Sequence, residues 1–240
     1  MTAIDGGLHV HVLDRVGPDL LWGDLRGVGQ LRLETIEERY GVSRSVAREV
    51  VRVLESMGLV ASRPRIGITL RPRAEWHFLD PRLIRWRLAG PERADQLRSI
   101  TDLRRGMEPV AAELAATHAT PEQCGALTGA VIGMSVTGRE GNLAAYLAHD
   151  ITFHQTLLQA SGNELFASLG DVVAEVLTGR TQHHLMPEHP EPAAIRLHAD
   201  VAEAISSRDP ARAGRLMREI VSEAGQAMEA VLHDTRDHSG

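Results

Sequence analysis

Three side chains in the second half of the sequence have the types and spacing of a metal site. Asp150 and His154 are four residues apart, so on a helix both side chains project from one face. His198 lies on a later predicted helix. One carboxylate and two imidazoles can hold a divalent cation and leave positions open for water or a ligand. Spacing alone also fits an ordinary surface or core pair, because such pairs are common in a chain with 12 histidines.

The first third of the sequence has residues that suit contact with DNA. The pattern predicts a short helix from Leu33 to Tyr40, a glycine stop at Gly41, and a helix over 44–57 capped by Ser43. This order is typical of a helix-turn-helix. Two β-prone runs, 59–62 and 66–70, add a hairpin that makes the motif winged. The second helix would present its first residues to base edges in the major groove, namely Arg44, Ser45 and Arg48. Arg63 and Arg65 at the hairpin tip would reach phosphates or the minor groove.

Helical periodicity accounts for most of the chain, so we predict a mainly α protein. A first helix is expected over 8–22, with a break or kink at Gly17-Pro18. Prolines punctuate further helices predicted near 80–89, 92–118, 121–137, 140–160, 163–184, 192–206 and 209–234. We place a winged helix-turn-helix domain at residues 1–73 and an all-α bundle at residues 74–240.

Composition excludes several classes of protein. The 240 residues are 43% hydrophobic and 24% charged, which is the balance of a globular chain. No apolar run is long enough to span a bilayer, and the N-terminus does not resemble a secretory signal. The single cysteine, Cys124, excludes an internal disulfide and a cysteine-based zinc finger. We therefore expect a cytoplasmic protein with no membrane partner.

Charge is distributed unevenly along the chain. Between Asp24 and Arg73 there are ten arginines and six acidic residues, whereas from Ala74 to Gly240 there are 15 arginines and 23 acidic residues. A basic segment joined to an acidic remainder suggests that only the first segment contacts a polyanion.

The string LETIEERYGVSRSVAREVVRVLESMGLVASRPRIGITL (33–70) resembles the winged helix-turn-helix of the GntR family of bacterial transcription regulators. The resemblance implies a double-stranded, palindromic DNA operator as partner. One departure is Glu34, where many family members have an arginine in the helix before the turn; Arg32 lies nearby. We expect the DNA-contacting residues to be Arg32, Ser43, Arg44, Ser45, Arg48, Arg63, Arg65 and Gly67.

The region from about Trp76 to Met228 resembles the FCD ligand-binding domain of the FadR subgroup, through LRRGMEPVAAELAA, HDITFHQTLLQASGNELF, LHADVAEAI and RDPARAGRLM. Family members with metal use an aspartate, a histidine four residues later and two further histidines. Asp150, His154 and His198 match three of these ligands, and Ile220 stands where the fourth is expected. The resemblance thus implies one divalent ion, zinc, nickel or manganese, held by three residues.

Arg104 admits two interpretations. It precedes Glu108 by four residues, so an intrahelical ion pair is the simple one. The matching arginine of the resembling family points into the effector cavity, where a guanidinium can bind a carboxylate.

The sequence at the start of the second domain indicates which chemical class of effector to expect. Trp76, Phe78 and Trp86 are predicted to pack between the two domains, and their segment resembles the linker of sugar-acid regulators of the galactonate type. Histidines 183, 184 and 189 flank a proline-rich loop and are expected to be solvated.

These observations together predict a homodimeric, ligand-responsive transcription regulator, a repressor, that binds a small carboxylate or sugar acid and is not an enzyme. Two alternatives stay open. One is a regulator that binds fatty acyl-CoA without metal, and the other is a metal-dependent enzyme that uses Asp150, His154 and His198.

Overall fold

The computed structural model describes residues 5–27, 31–183 and 190–237, with side chains described from residue 9 to residue 227. His184 and His189, predicted to be solvated, lie outside the described residues. The chain forms two compact units that divide after Arg93. Each unit has its own apolar core.

The first unit is a helical cluster with a two-stranded hairpin. Its elements are α1 (Asp5–Leu21), α2 (Leu33–Tyr40), α3 (Arg44–Ser56), β1 (Val60–Arg63), β2 (Gly67–Leu70), a 3₁₀ turn (Arg73–Glu75) and α4 (Pro81–Ala89). α2 and α3 form the predicted helix-turn-helix. Gly41 ends α2 with φ 65°, and the Ser43 hydroxyl accepts a hydrogen bond from the Val46 N–H at the start of α3. The predicted bounds of both helices are confirmed to within a residue.

The hairpin is tied to the chain that enters α2. β1 and β2 pair antiparallel from Val60 opposite Leu70 to Arg63 opposite Gly67. Leu31 adds a bridge to the free edge of β2, since its N–H donates to the Ile68 carbonyl at 2.8 Å and its carbonyl accepts from the Ile68 N–H at 2.7 Å. Backbone pairing therefore fixes the position of the hairpin relative to the start of α2.

The predicted break in the first helix is wrong, because α1 continues through Pro18 and ends three residues later, at Leu21. A proline inside a helix removes one backbone hydrogen bond. The apolar side of α1 offsets that loss, since Leu13 and Val16 are fully buried in the core of the first unit. Gly17 does not end the helix. It allows the Trp86 ring to pack closely against α1, since a Cβ at this position would lie 2.3 Å from that ring.

Trp86 joins α4 to α1. Its indole N–H donates to Asp14 Oδ1 at 2.9 Å, and the side chain is 3% exposed. Trp86 was predicted to pack between the domains; it packs α4 onto α1, so both helices belong to the first unit. The compact units consequently divide 20 residues after the predicted boundary at residue 73.

The second unit is all-α, as predicted. It contains α5 (Arg93–His118), α6 (Pro121–Arg139), α7 (Leu143–Ala160), α8 (Glu164–Ser168), α9 (Gly170–Gln182), α10 (Pro192–Ser206) and α11 (Pro210–Asp237). The core is built around Phe153, Leu157 and Leu158 of α7, all with no exposed surface.

One predicted helix, 163–184, is two helices in the structure. Asn163 caps α8 through hydrogen bonds from the Leu165 and Phe166 N–H groups, and α8 ends at Ser168. Leu169 has ψ 0°, outside the helical range, and α9 starts at Gly170. The break reorients the chain so that α9 packs along α7.

Within the described ranges, no helix combines the length and the apolar composition that crossing a bilayer requires.

We predict that Gly17→Ala lowers the free energy of unfolding of the first unit by about 1–3 kcal/mol, because the added methyl group overlaps the buried Trp86 ring. Urea denaturation followed by tryptophan fluorescence measures the loss. Gly106→Ala is the control: it is an exposed helical glycine whose added Cβ has no neighbour within 4 Å, so it should be neutral or slightly stabilising. Equal stability of the two variants would contradict the close packing at Gly17.

Candidate functional site

The start of α3 presents the three side chains predicted to read bases. Arg44, Ser45 and Arg48 are exposed on the first turns of the helix. The opposite side of α3 packs into the core through fully buried residues such as Val50 and Leu54. The helix is therefore held by its apolar face while its polar N-terminal face points to solvent, which is the arrangement that major-groove recognition requires.

Arg44 is not free on this face. Its guanidinium forms ion pairs with Glu34 Oε1 at 2.8 Å and with Glu37 Oε1 at 3.4 Å, both on α2. A backbone hydrogen bond, and then the hydrogen bond from Arg44, lower the pKa of the Glu34 carboxyl. Glu34, the position where the sequence departs from many family members, thus neutralises part of the charge on the recognition helix. This contact between α2 and α3 is not predictable from residue spacing, because it forms across the turn between the two helices.

The hairpin tip places Arg63 and Arg65 in solvent, as predicted. Arg65 has φ 66°, a left-handed conformation that is uncommon for a residue other than glycine. Gly67, predicted as a DNA contact, has a structural requirement of its own. Its φ is 97°, and a Cβ would lie 2.8 Å from the Leu31 carbonyl oxygen. Arg32 is exposed beside this contact, immediately before α2.

The three predicted metal ligands meet in the interior of the second unit. Asp150 and His154 lie on α7 and His198 on α10, and one ligand atom from each falls within 4.8 Å of the others. Asp150 Oδ1 is 3.4 Å from His154 Nε2 and 3.5 Å from His198 Nε2. All three residues are at most 4% exposed.

Neighbouring groups orient both imidazoles. His154 Nδ1 lies 3.0 Å from Glu108 Oε2, and His198 Nδ1 lies 2.7 Å from the Ala194 carbonyl oxygen. When each imidazole carries its proton on Nδ1, both Nε2 lone pairs face Asp150 and are available to a cation. Asp150 Oδ1 and His198 Nε2 are buried and have no hydrogen-bond partner. Acceptor atoms that converge in this way suit a divalent cation, so the donor set fits a metal.

Two arginines surround this cluster. Arg104 is buried against Glu108, with Nε donating to Oε1 at 2.6 Å and Nη2 donating to Oε2 at 3.3 Å. Arg180, on α9, donates from Nη2 to Asp150 Oδ2 at 3.2 Å. Burial opposes ionisation of Glu108, but the charges of Arg104 and His154 outweigh it and lower its pKa to about 2. Burial likewise opposes ionisation of Asp150, but its contacts with His154 and His198 and the charge of Arg180 hold the pKa of its carboxyl well below normal.

A cavity of about 370 Å³ opens beside the cluster. His198 and Arg180 are on its wall, and the Arg180 Nε is buried without a hydrogen-bond partner. Ile220, which stands where a fourth ligand was expected, lines the same cavity. The remaining wall is formed by Tyr146, Pro190, Glu191, Ala194, Glu223, Ala224, Gln226 and Ala227.

Of the two interpretations of Arg104, the structure contains the ion pair with Glu108. Its side chain is 2% exposed, and it is not among the residues that line the cavity. The arginine on the cavity wall is Arg180, which sequence reasoning missed because it is a single cation in a helix with no recognisable spacing. The spacing of Glu108 and Arg104 predicts only their ion pair. Glu108 also contacts His154, and this contact joins α5 to α7.

Two sequence profiles match the chain. The profile of the FCD domain matches residues 99–223, more than half of the chain, and that of the bacterial regulatory proteins of the gntR family matches residues 8–70. The chain belongs to the GntR family and carries an FCD domain.

Curated relatives of this GntR-family protein are transcription regulators. The uncharacterized HTH-type transcriptional regulator YieP of Escherichia coli (strain K12) is 30% identical over 139 residues, which are 58% of this chain and only 60% of that protein. The galactonate operon transcriptional repressor of the same strain is 24% identical over 173 residues, 72% of this chain and 75% of the repressor. The predicted family, and a DNA-binding regulator rather than an enzyme, are confirmed.

Solved structures confirm the predicted fold class. E. coli McbR/YncC has a TM-score of 0.53 at 17% identity, covering 95% of this chain and 98% of the other. Streptococcus agalactiae GntR has a TM-score of 0.51 at 22% identity, covering 91% and 99%. Both support the winged helix-turn-helix followed by an all-α domain.

We predict that Glu108→Gln lowers the free energy of unfolding of the second unit by about 3–5 kcal/mol, because it leaves the charge of the buried Arg104 unpaired. Chemical denaturation followed by circular dichroism measures the change. Glu140→Gln, at an exposed position after α6, serves as the control and should change stability by less than about 0.5 kcal/mol. If Glu108→Gln lowers the free energy of unfolding by less than about 1 kcal/mol, groups other than Glu108 must compensate the buried charge of Arg104.

Proposed function

We propose that this GntR-family protein is a homodimeric repressor that binds a palindromic operator through its first unit and a small hydroxylated carboxylate, such as a sugar acid, in its second. The observation that carries the effector part is Arg180, which has an unpaired buried Nε on the wall of a cavity that also contains an Asp/His/His cluster.

The first unit supplies the DNA-binding surface. Arg48 and Ser45 on α3 reach base edges in the major groove, and Arg63 and Arg65 at the hairpin tip contact the backbone. Arg32 lies beside the hairpin and contributes a further phosphate contact. Arg44 is held by Glu34 and Glu37, so it contributes less than its position suggests. Two copies of α3 in a symmetric dimer read the two halves of a palindrome.

A divalent ion, zinc, nickel or manganese, would be held by Asp150, His154 and His198. When bound, the ion supplies positive charge and open coordination positions for an oxygen ligand. When both histidines are neutral, as metal ligands are, the cluster contains two carboxylates, Glu108 and Asp150, and two guanidinium groups, Arg104 and Arg180, so its charges balance before an ion binds. A divalent ion leaves a double positive charge, which favours an anionic effector.

The rest of the cavity wall is largely apolar and also contains polar groups that can bind the hydroxyl groups of an effector. Glu191, Glu223 and Gln226 offer hydrogen-bonding groups along the wall, and Tyr146 adds an aromatic surface. The Arg180 guanidinium is suited to the carboxylate. The relative that represses a galactonate operon supports a sugar acid as the class of effector.

The dimensions of the cavity disfavour the acyl-CoA alternative. About 370 Å³ is near the lower end of small-molecule pockets. A long acyl chain needs an extended apolar channel, whereas two of the residues beside this opening are His198 and Arg180. Buried charged side chains would be unfavourable beside an acyl chain in such a channel.

Regulation requires that the effector bind one conformation of the dimer better than another. We infer that the sugar acid favours the conformation that fits the operator poorly, so that the repressor leaves the DNA. The protein would act in the cytoplasm, where its operator is.

We expect Arg48→Ala to weaken binding to the operator at least fivefold while affecting unrelated DNA less, because base contacts discriminate by about 1–3 kcal/mol. Arg63→Ala should weaken binding to both DNAs and reduce the slope of log affinity against log salt by about one. Fluorescence anisotropy with DNA flanking the protein's own gene measures both effects. Arg98→Ala, an exposed arginine of α5, is the control. Unchanged operator affinity in both test variants would rule out this docking.

We expect His198→Gln to lose stoichiometric metal, measured by mass spectrometry after dialysis against zinc, nickel or manganese.

Arg180→Gln should keep operator binding but require at least tenfold more sugar acid for release, since one charge-assisted contact is worth about 1.5–3 kcal/mol. Arg196→Gln, exposed on α10, should respond like the native protein. Release of Arg180→Gln at native concentrations would remove Arg180 from the effector site, and a metal-free native protein would remove the ion.

A further inference from the structure

One face of α6 is apolar and exposed. Ile132 is 59% exposed and Val136 is 41% exposed, while the opposite face of the helix is buried through residues such as Leu127 and Met134. Gly125 and Gly129 lie on the same face as Ile132 and Val136, since the four positions are separated by four, three and four residues. A Cβ added at either glycine would have no neighbour within 4 Å. Two large side chains and two open gaps thus form one stripe, which we call the α6 face.

The α6 face is complementary to itself. If two copies of α6 pack antiparallel about a two-fold axis, residues equally far from the crossing point face each other. With the axis level with the midpoint between Ala130 and Val131, Gly129 faces the partner's Ile132. Gly125 then faces the partner's Val136. Every large apolar side chain enters a gap left by a glycine, which is the condition for close helix packing.

Two charged residues near the ends of α6 are also placed symmetrically about this midpoint. Glu122 and Arg139 are exposed near the two ends of α6, on opposite flanks of the α6 face. Their distances from the same midpoint are equal, so the antiparallel arrangement places Glu122 level with the partner's Arg139 along the helix axis, twice in the dimer. Among the residues that the structure describes, neither side chain forms an ion pair, and the Arg139 Nε donates only to the Ser135 carbonyl. A parallel arrangement would place like charges together.

We propose that the α6 face is the dimer interface of this protein, with a second copy of the chain as its occupant. The inference rests on the homodimer in the proposed function and specifies where the copies meet. The proposed interface also determines the distance between Gly129 and the partner's Gly129. Gly129 and the partner's Gly129 are offset by three residues, about 4.5 Å along the helix. Helices that pack at glycines approach to about 8 Å between axes, so two cysteines at this position are within disulfide reach.

Cysteine cross-linking tests the geometry. In a Cys124→Ser background, Gly129→Cys should form a covalent dimer on mild oxidation, with most of the protein shifting to twice the mass on a non-reducing gel. Gly106→Cys is the matched control, because Gly106 is also an exposed helical glycine with open space, on α5. Cross-linking of Gly106→Cys but not of Gly129→Cys would overturn the proposal and point to α5.

Dimer affinity tests the packing and the charges independently. Ile132→Glu should raise the dimer dissociation constant at least tenfold by sedimentation equilibrium, with helical content unchanged by circular dichroism. Glu122→Arg and Arg139→Glu should each raise it, and the double variant should restore it towards the native value. Native dimerisation in Ile132→Glu would also overturn the proposal. Dimeric protein that binds the operator but does not cross-link at position 129 leaves the proposed function intact, whereas loss of operator binding in native protein counts against the function itself.

Discussion

The second unit depends on a buried chain of opposite charges. Arg104, Glu108, His154, Asp150 and Arg180 follow one another in space, and each carboxylate lies between two partners that carry or accept a proton. The chain joins α5 to α7 and α7 to α9. Charges without partners are expensive in an apolar interior, so the three helices are restricted to relative positions that keep every member paired.

The same chain determines which electrostatic surface the cavity presents. Glu108 compensates Arg104 and orients His154, while Asp150 is shared between the histidines and Arg180. Structural support and the ligand recognition that we propose therefore use the same atoms, and a change to one affects the other. The apolar residues around the cluster, Phe153 above all, exclude water and strengthen these interactions.

Local chemistry made much of the fold predictable. Gly41 and Ser43 define the turn between α2 and α3 because a glycine stop and a serine cap act within a few residues. The spacing of Asp150 and His154 likewise placed two potential ligands on one helix face. Contacts between distant segments were not predictable: Arg180 reaches Asp150 only because α9 packs along α7, and Glu34 meets Arg44 only across the turn. The use of Gly17 inside α1 was not predictable either, because its partner Trp86 lies nearly 70 positions later in the chain.

The ion pair between Glu34 and Arg44 bears on how a regulator finds its site in a genome. Most encounters are with unrelated DNA, and that binding is driven by release of counterions as arginines neutralise phosphates. An arginine already compensated by a carboxylate releases fewer ions, and Glu34 itself repels the backbone. With the docking that we propose, we expect the pair to shorten the time spent on unrelated DNA and to leave a larger share of the molecules free to sample the operator.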